Sequence, residues 1–232
     1  MILDDLVVEI TRRCNASCDH CLRGDAQNID ISNDTMDNLL EDVKEIRSIT
    51  FSGGEPSLAV DRIEYFTKIL KEKNITLGDF YVITNGKTPS IDLVKALIDL
   101  YAYAEDNEIS ALVISGDQYH QQVIGSTDEA RGLYEALSFF NKEERKGPIR
   151  GVALIDEGRA AGMGGRDALI EPIILDESNP DEPHFEGNIY INALGDIEPS
   201  CDLSFESQEK EKLGNVNEEK LQTILKRWAG EE

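Results

Sequence analysis

Short apolar runs along this chain alternate with stretches in which apolar side chains recur every three or four positions. The runs LVVEIT (6–11), SITFSG (48–53), FYVITNG (80–86), ALVISGD (111–117) and GVALID (151–156) read as buried strands. Between them, Met36, Leu39, Leu40 and Val43 form one helical stripe, and Leu93, Leu97, Ile98 and Tyr101 form another. Thr88-Pro89 offers a hydroxyl cap and a first-turn proline for the second of these helices. Ser126 and Glu129 have capping-box spacing ahead of Leu133, Leu137 and Phe140. Repeated β-α alternation predicts a mostly parallel sheet with outer helices, either doubly wound or closed as a full or partial barrel.

The pattern changes near residue 158. EGRAAGMGGRD is glycine-rich, ALIEPIILD (168–176) reads as a sixth strand, and ESNPDEPHFEG as an acidic linker. NIYINALGDIEPS then alternates like a hairpin turning at Leu194-Gly195, and Leu221, Ile224, Leu225 and Trp228 make a final amphipathic helix. This divides the chain into a core over residues 1–175 and a C-terminal cap over 186–232.

Charge narrows the partners. Forty-six acidic residues face 23 basic ones in 232 residues, a formal net charge of −23. Such a surface repels phosphate backbones and anionic lipid, which argues against duplex nucleic acid and membranes. The start, MILDDLVVEITRR, has early acids and a short apolar run, unlike a signal peptide, and no stretch approaches the ~18–20 apolar residues of a membrane span. Three of the four cysteines are clustered, which suits a reducing compartment. The expectation is a cytoplasmic protein.

The unusual chemistry sits at strand ends, where a β/α barrel keeps its active site. Thr11 leads into CNASCDHC, Ser52 into Gly-Gly-Glu-Pro, Thr84 into Asn-Gly, and Ser115 into Gly-Asp. Thiolates as close as Cys14, Cys18 and Cys21 repel one another unless a cation compensates, so metal binding is the default. Zinc could take the three with His20, if that histidine folded back sharply. An iron–sulfur cube held by three thiolates instead leaves one iron open, as catalytic metal sites do.

The spacing Cys-x3-Cys-x2-Cys, together with FSGGEPSL at the end of the second strand, resembles the radical S-adenosylmethionine (SAM) superfamily. The resemblance covers roughly residues 5–160 and implies a partial (β/α)6 TIM-type barrel followed by a small β-hairpin plus helix. It implies a [4Fe-4S] cluster on Cys14, Cys18 and Cys21, with SAM at the turn Gly53, Gly54, Glu55 and Pro56. Two glycines let backbone approach a ligand closely, and Glu55 can pair with the SAM ammonium. Thr84 and Asn85 resemble the third-strand end beside the ligand. Ser115 and Asp117 resemble a fourth-strand position that contacts ribose hydroxyls, and Arg159 a fifth-strand end facing the SAM carboxylate. The implied chemistry is reductive cleavage of SAM to methionine and a 5′-deoxyadenosyl radical that abstracts a substrate hydrogen atom. Electrons would come from a reductant such as flavodoxin or ferredoxin, and the protein orients the cofactors.

The tail resembles the start and end of the auxiliary-cluster extensions (SPASM and its shorter twitch form) of peptide-modifying members, but no cysteine follows Cys201. A second cluster would need His184 or an acid beside Cys201. The plainer reading leaves Cys201 as a small half-buried residue, and the sharper one has it face the substrate and donate a hydrogen atom, as an epimerase-like thiol. His120, just past the fourth strand, is a candidate proton carrier or substrate contact, or else a helix cap. Tyr119 reads as packing, Arg150 and Arg166 as anion contacts or solvated ion pairs, and KEERK (142–146) as a solvated helix end. The candidate catalytic residues are thus Cys201 and His120. The leading expectation is a peptide or protein substrate, by analogy with the cap. The alternatives are a radical enzyme acting on a small molecule or nucleotide, and a non-catalytic zinc module.

Overall fold

The computed structural model describes residues 1–140, 154–179 and 182–230. The chain opens with β1 (Ile2–Thr11), whose Leu3, Leu6, Val8 and Ile10 are fully buried. α1 (Asn33–Leu39) follows, capped by Ser32, whose hydroxyl accepts from Thr35 N–H. Then come β2 (Glu45–Gly53) and α2 (Val60–Lys73), which ends on Asn74 in the left-handed region at φ 54°. The pattern of Ile63, Phe66, Ile69 and Leu70, all buried, carries α2, a helix the strand-led reading passed over.

β3 (Thr76–Thr84), α3 (Ile91–Tyr101) and β4 (Ala111–Ile114) complete the first half. α3 is capped by Ser90, whose hydroxyl accepts from Leu93 N–H, so the helix starts after Thr88-Pro89 rather than at it. α4 (Gln118–Ile124) and α5 (Asp128–Tyr134) are short. Ser126 caps only a turn, accepting from Asp128 N–H, and Leu137 and Phe140 pack beyond the helix they were expected to extend.

The second half departs further from expectation. Of the expected fifth strand only 154–156 lie within the described residues, where Ile155 bridges to Arg166. The expected sixth strand shrinks to β5 (Ile174–Asp176), antiparallel to its neighbour. Pro172 lacks an N–H for a ladder, and Leu169, Ile170 and Ile174 are exposed, so most of that apolar run is surface, with Ile173 its one buried core residue. The supposed linker instead contains the start of β6 (His184–Ile191), which runs parallel beside β1, with Leu6 opposite Ile189. β7 (Asp196–Glu198) turns back from β6 at Ala193–Gly195, the expected hairpin. α6 (Phe205–Glu211), β8 (Gly214–Asn215) and α7 (Leu221–Trp228) finish the described chain.

The strand order is β4-β3-β2-β1-β6-β7-β8, with β5 added to β6 and the run from β4 to β6 all parallel. This is a mixed α/β fold of the partial-barrel kind. Leu6, Ile49 and Phe80 lie in one register row, and Phe66 of α2 meets Phe51 edge to face at 5.4 Å. Each such fully buried side chain contributes about 1.5–3 kcal/mol. Among the described residues no helix is long and apolar enough to cross a membrane.

A buried polar clasp joins the two ends of the chain. Glu9, fully buried at the end of β1, accepts from Arg12 Nε at 2.7 Å, Tyr190 OH at 2.6 Å and Ala193 N–H at 3.1 Å. Arg12 also donates to Gln208 of α6 at 2.6 Å and stacks on Phe205 at 4.4 Å. Arg23 donates to the Leu203 carbonyl and lies over the Tyr190 ring. Such charges are tolerated inside because they are paired.

Glu198 closes this network and carries one unpartnered oxygen. Burial, then the charges of Asp196 and Glu9, push its carboxyl up to about 8. The folded chain therefore binds this proton more tightly than the unfolded one. Stability from this group is present at low pH and is lost as pH rises from the ordinary glutamate range through about 8. Glu198→Gln should remove that decline. Thermal unfolding across pH should show the variant's advantage growing between pH ~5 and ~9, and a constant offset would refute the assignment.

Candidate active site

The cysteine loop begins where β1 ends. Thr11 is fixed by Asp30, to which its hydroxyl donates at 2.5 Å, and Arg13 N–H donates back to the Thr11 hydroxyl. Cys14 and Cys21 are half-buried and Cys18 is buried, all three as free thiols. Burial, then repulsion from Cys14 and Cys21, pushes the Cys18 thiol up to about 11, and burial raises Cys14 as well. Ionising the trio therefore requires a compensating cation.

The Gly-Gly-Glu turn lies against this loop. Gly54 N–H donates to Thr11 O and Glu55 N–H to Arg13 O, both at 2.8 Å. A Cβ on Gly53 or Gly54 would sit 2.2 Å from the carbonyl oxygens of Thr11 and Arg13 respectively. The glycines are thus needed for close approach of the turn to the cysteine loop, where the sequence suggested approach to a ligand. Pro56 opens the single 3₁₀ turn behind them. Glu55 is 1% exposed, and its carboxylate accepts from Thr84 OH at 2.6 Å, Asn85 N–H at 2.7 Å and Ser57 N–H at 3.0 Å. Of its roughly four lone-pair sites, about one is left for a further donor. Asn85 also donates to Asn15 at 2.8 Å, tying the end of β3 to the cysteine loop.

These pieces surround one cavity of about 340 Å³, within the range of small-molecule sites. Its wall includes Cys14, Cys18, Cys21, Gly53, Gly54, Glu55, Asn85, Ser115, His120 and Arg159. Arg159 N–H donates to the Cys21 carbonyl, its guanidinium reaches Asp25 at 3.2 Å, and its Nε is buried without a partner. Arg12, just past β1, and Phe205, at the start of α6, also line the wall, and nothing in the sequence marked either.

Asp117 does not line the cavity. Its Oδ1 accepts from Tyr119 and His120 N–H, capping α4, and its Oδ2 bonds His120 Nδ1. Burial alone would raise this carboxyl, but the bonds and charge of His120 outweigh it and hold the group at about 2. The expected ribose contact is therefore engaged in orienting His120. His20 stacks flat on Tyr119 at 4.5 Å and meets His120 edge-on, with burial lowering its affinity for a proton. Tyr119 packs, as expected.

Cys201, expected either as a small half-buried residue or facing substrate, is exposed on the turn after β7 and is absent from the cavity wall. His184 bonds Asp4 at 2.7 Å and faces Asp176 and Glu186 rather than Cys201. Arg166 pairs with Asp202 at 2.9 Å on the surface. Arg150 and the segment 142–146 lie outside the described residues.

The sequence model of the radical SAM superfamily matches residues 8–147, more than half of the chain. This protein belongs to the radical SAM superfamily. A curated protein of Aquifex aeolicus (strain VF5) named "Putative L-lysine 2,3-aminomutase" is 33% identical over 76 residues, 30% of this chain, and the match spans about a fifth (20%) of that relative's length. Solved radical SAM structures share the fold. anSMEcpe with bound AdoMet and Cp18Cys peptide superposes with a TM-score of 0.59 at 12% identity, covering 97% of this chain and 80% of that one. SuiB of Streptococcus suis gives 0.55 at 13% identity, covering 97% and 66%. BtrN in an open conformation gives 0.52 at 15%, covering 95% and 78%.

The superfamily uses a [4Fe-4S] cluster and SAM, and the residues of this radical SAM protein fit both. Tetrahedral zinc would hold its sulfurs about 3.8 Å apart. Among the described residues, donor sets converging within 4.8 Å are His20 with Asp117 and His120, and Asp176 with His184 and Glu186. The three thiols are not among these sets. The orphaned Arg159 Nε and the spare Glu55 lone pair supply the cation and the acceptor that an amino acid moiety calls for.

Proposed function

We propose that this radical SAM protein reductively cleaves SAM and abstracts a hydrogen atom from a peptide or protein substrate. The observation that carries the reading is the convergence of three thiols, Glu55 and Arg159 on one cavity. When bound, the cluster and SAM supply an electron and a 5′-deoxyadenosyl radical. Cys14, Cys18 and Cys21 hold the cluster. Glu55, fixed by Thr84 and Asn85, takes the SAM ammonium, and Arg159 its carboxylate, with Ser115 on the wall nearby. Gly53, Gly54 and Pro56 shape the turn. His120, held at Nδ1 by Asp117 and lining the cavity, is the candidate proton carrier. Residues 1–175 form the cofactor-binding core, and 186–232 close the cavity through Phe205. A low-potential reductant such as flavodoxin or ferredoxin delivers the electron.

A peptide substrate is supported by the fold shared with anSMEcpe, whose structure holds a Cp18Cys peptide. A small amino acid is the second reading, favoured by the short match to the aminomutase-named protein.

Anaerobic reconstitution tests both levels. The expected result is a brown protein that turns SAM into methionine and 5′-deoxyadenosine under reduction, faster with the peptide than without. A colourless protein holding stoichiometric zinc would end the reading. Stimulation by free amino acids instead of peptides would replace the substrate class alone. His120→Gln should retain iron and SAM cleavage while lowering product formation on the order of 10²-fold. Loss of iron in that variant would make the residue structural.

A further inference from the structure

At the far end of β1 from the cysteine loop, the hairpin of β5 and β6 gathers a second set of ligand-type side chains. Asp176 stands directly opposite His184 in the antiparallel pair, and Glu186 lies two residues further along β6, on the face of His184. One donor atom from each lies within 4.8 Å of the other two. We propose that Asp176, His184 and Glu186 bind a divalent transition-metal ion, of the class of Zn²⁺, that staples β5 to the start of β6.

The His184 ring carries the argument. The residue is 9% exposed, and its Nε2 is hydrogen-bonded to Asp4 Oδ1 at 2.7 Å. Asp4 is itself held by Arg47 at 3.0 Å. A carboxylate behind one imidazole nitrogen fixes the tautomer and presents the other nitrogen's lone pair, the arrangement that stands behind metal-bound histidines. The nitrogen so presented, Nδ1, faces Glu186 Oε1 at 3.8 Å, too far for a hydrogen bond. Asp176 accepts from Ser178 N–H at 2.8 Å, which fixes its carboxylate at the end of β5. A nitrogen lone pair and two carboxylates thus converge with no donor between them, and one imidazole with two carboxylates is a donor set suited to zinc. The two acids are the more exposed members and can swing inward to ligand distance, while the buried histidine is already placed.

The site is remote from the cavity and independent of the radical chemistry. Its occupant would pin the strand that lies against β1, where Ile2 pairs with His184.

The test uses cluster-loaded, tag-free protein carrying Cys201→Ser, so that the exposed thiol takes no metal. Zn²⁺ titrated by anaerobic calorimetry should bind about one ion per chain and raise the melting temperature by several degrees. Asp4→Asn, which touches only the supporting carboxylate, should weaken binding by about 10–100-fold. Asp176→Asn with Glu186→Gln should do so at least ~10-fold, with iron content and circular dichroism unchanged. No heat and no thermal shift at ~100 µM Zn²⁺ would overturn the proposal. Binding undiminished in the double variant would overturn it equally.

Discussion

Cys18→Ser is expected to leave a folded chain that fails to keep its iron. Cys18 is the most buried of the three thiols, and its surroundings already oppose a lone charge there. A serine hydroxyl is a harder and far less acidic donor, so it neither ionises in this site nor suits iron. Removing a group that merely hydrogen-bonds a metal ligand already costs about 10–100-fold, so loss of a direct ligand should lower iron retention and deoxyadenosine formation by at least ~10²-fold. The checks are iron per chain and product formation after anaerobic reconstitution. A Cys18→Ser protein with full iron and activity would remove the cluster from this loop.

Gly54→Ala should disturb the same loop from the other side. Its methyl group would lie 2.2 Å from the Arg13 carbonyl oxygen and 3.0 Å from Cys14 Cβ, so turn and loop must part. Two backbone bonds of 2.8 Å join them. Each is worth about 1 kcal/mol, and overpacking adds about 1–3 kcal/mol, a loss of roughly 3–5 kcal/mol. The melting temperature and the iron content should fall together. Gly132→Ala is the control: nothing lies within 4 Å of that Cβ, on α5. It should be neutral or gain up to about 1 kcal/mol. Equal behaviour of the two variants would show that the close approach does not constrain the loop.

The parallel half of the sheet was legible because β1 to β4 each carry a buried apolar run ending in a polar turn, and those turns name the cavity. Ligand-type residues at Cys14, Cys18, Cys21 and Glu55 announced themselves by spacing. What stayed hidden depends on partners distant in sequence. ALIEPIILD looked like one long strand because its residues are apolar, yet Leu169, Ile170 and Ile174 are exposed and only Ile173 is buried in the core. HFEGNIYI looked like linker and hairpin because proline and acids precede it, yet it pairs in parallel with β1 and buries Phe185, Ile189, Tyr190 and Ile191. Asp117 resembled a ligand contact by position, but the start of α4 and His120 claim both of its oxygens. Arg12 and Phe205 carry no local signal, since an arginine becomes a core residue only when Glu9 and Gln208 converge on it.

That clasp dictates an order of events during synthesis. The groups that brace Arg12 and Arg23, the Gln208 side chain and the Leu203 carbonyl, arrive 196 and 180 residues later. A nascent chain emerging from the ribosome therefore displays its three thiols long before their foundation exists, and contacts of such separation form late. Iron delivered at that stage would meet a floppy loop, so cofactor insertion belongs after translation has passed α6.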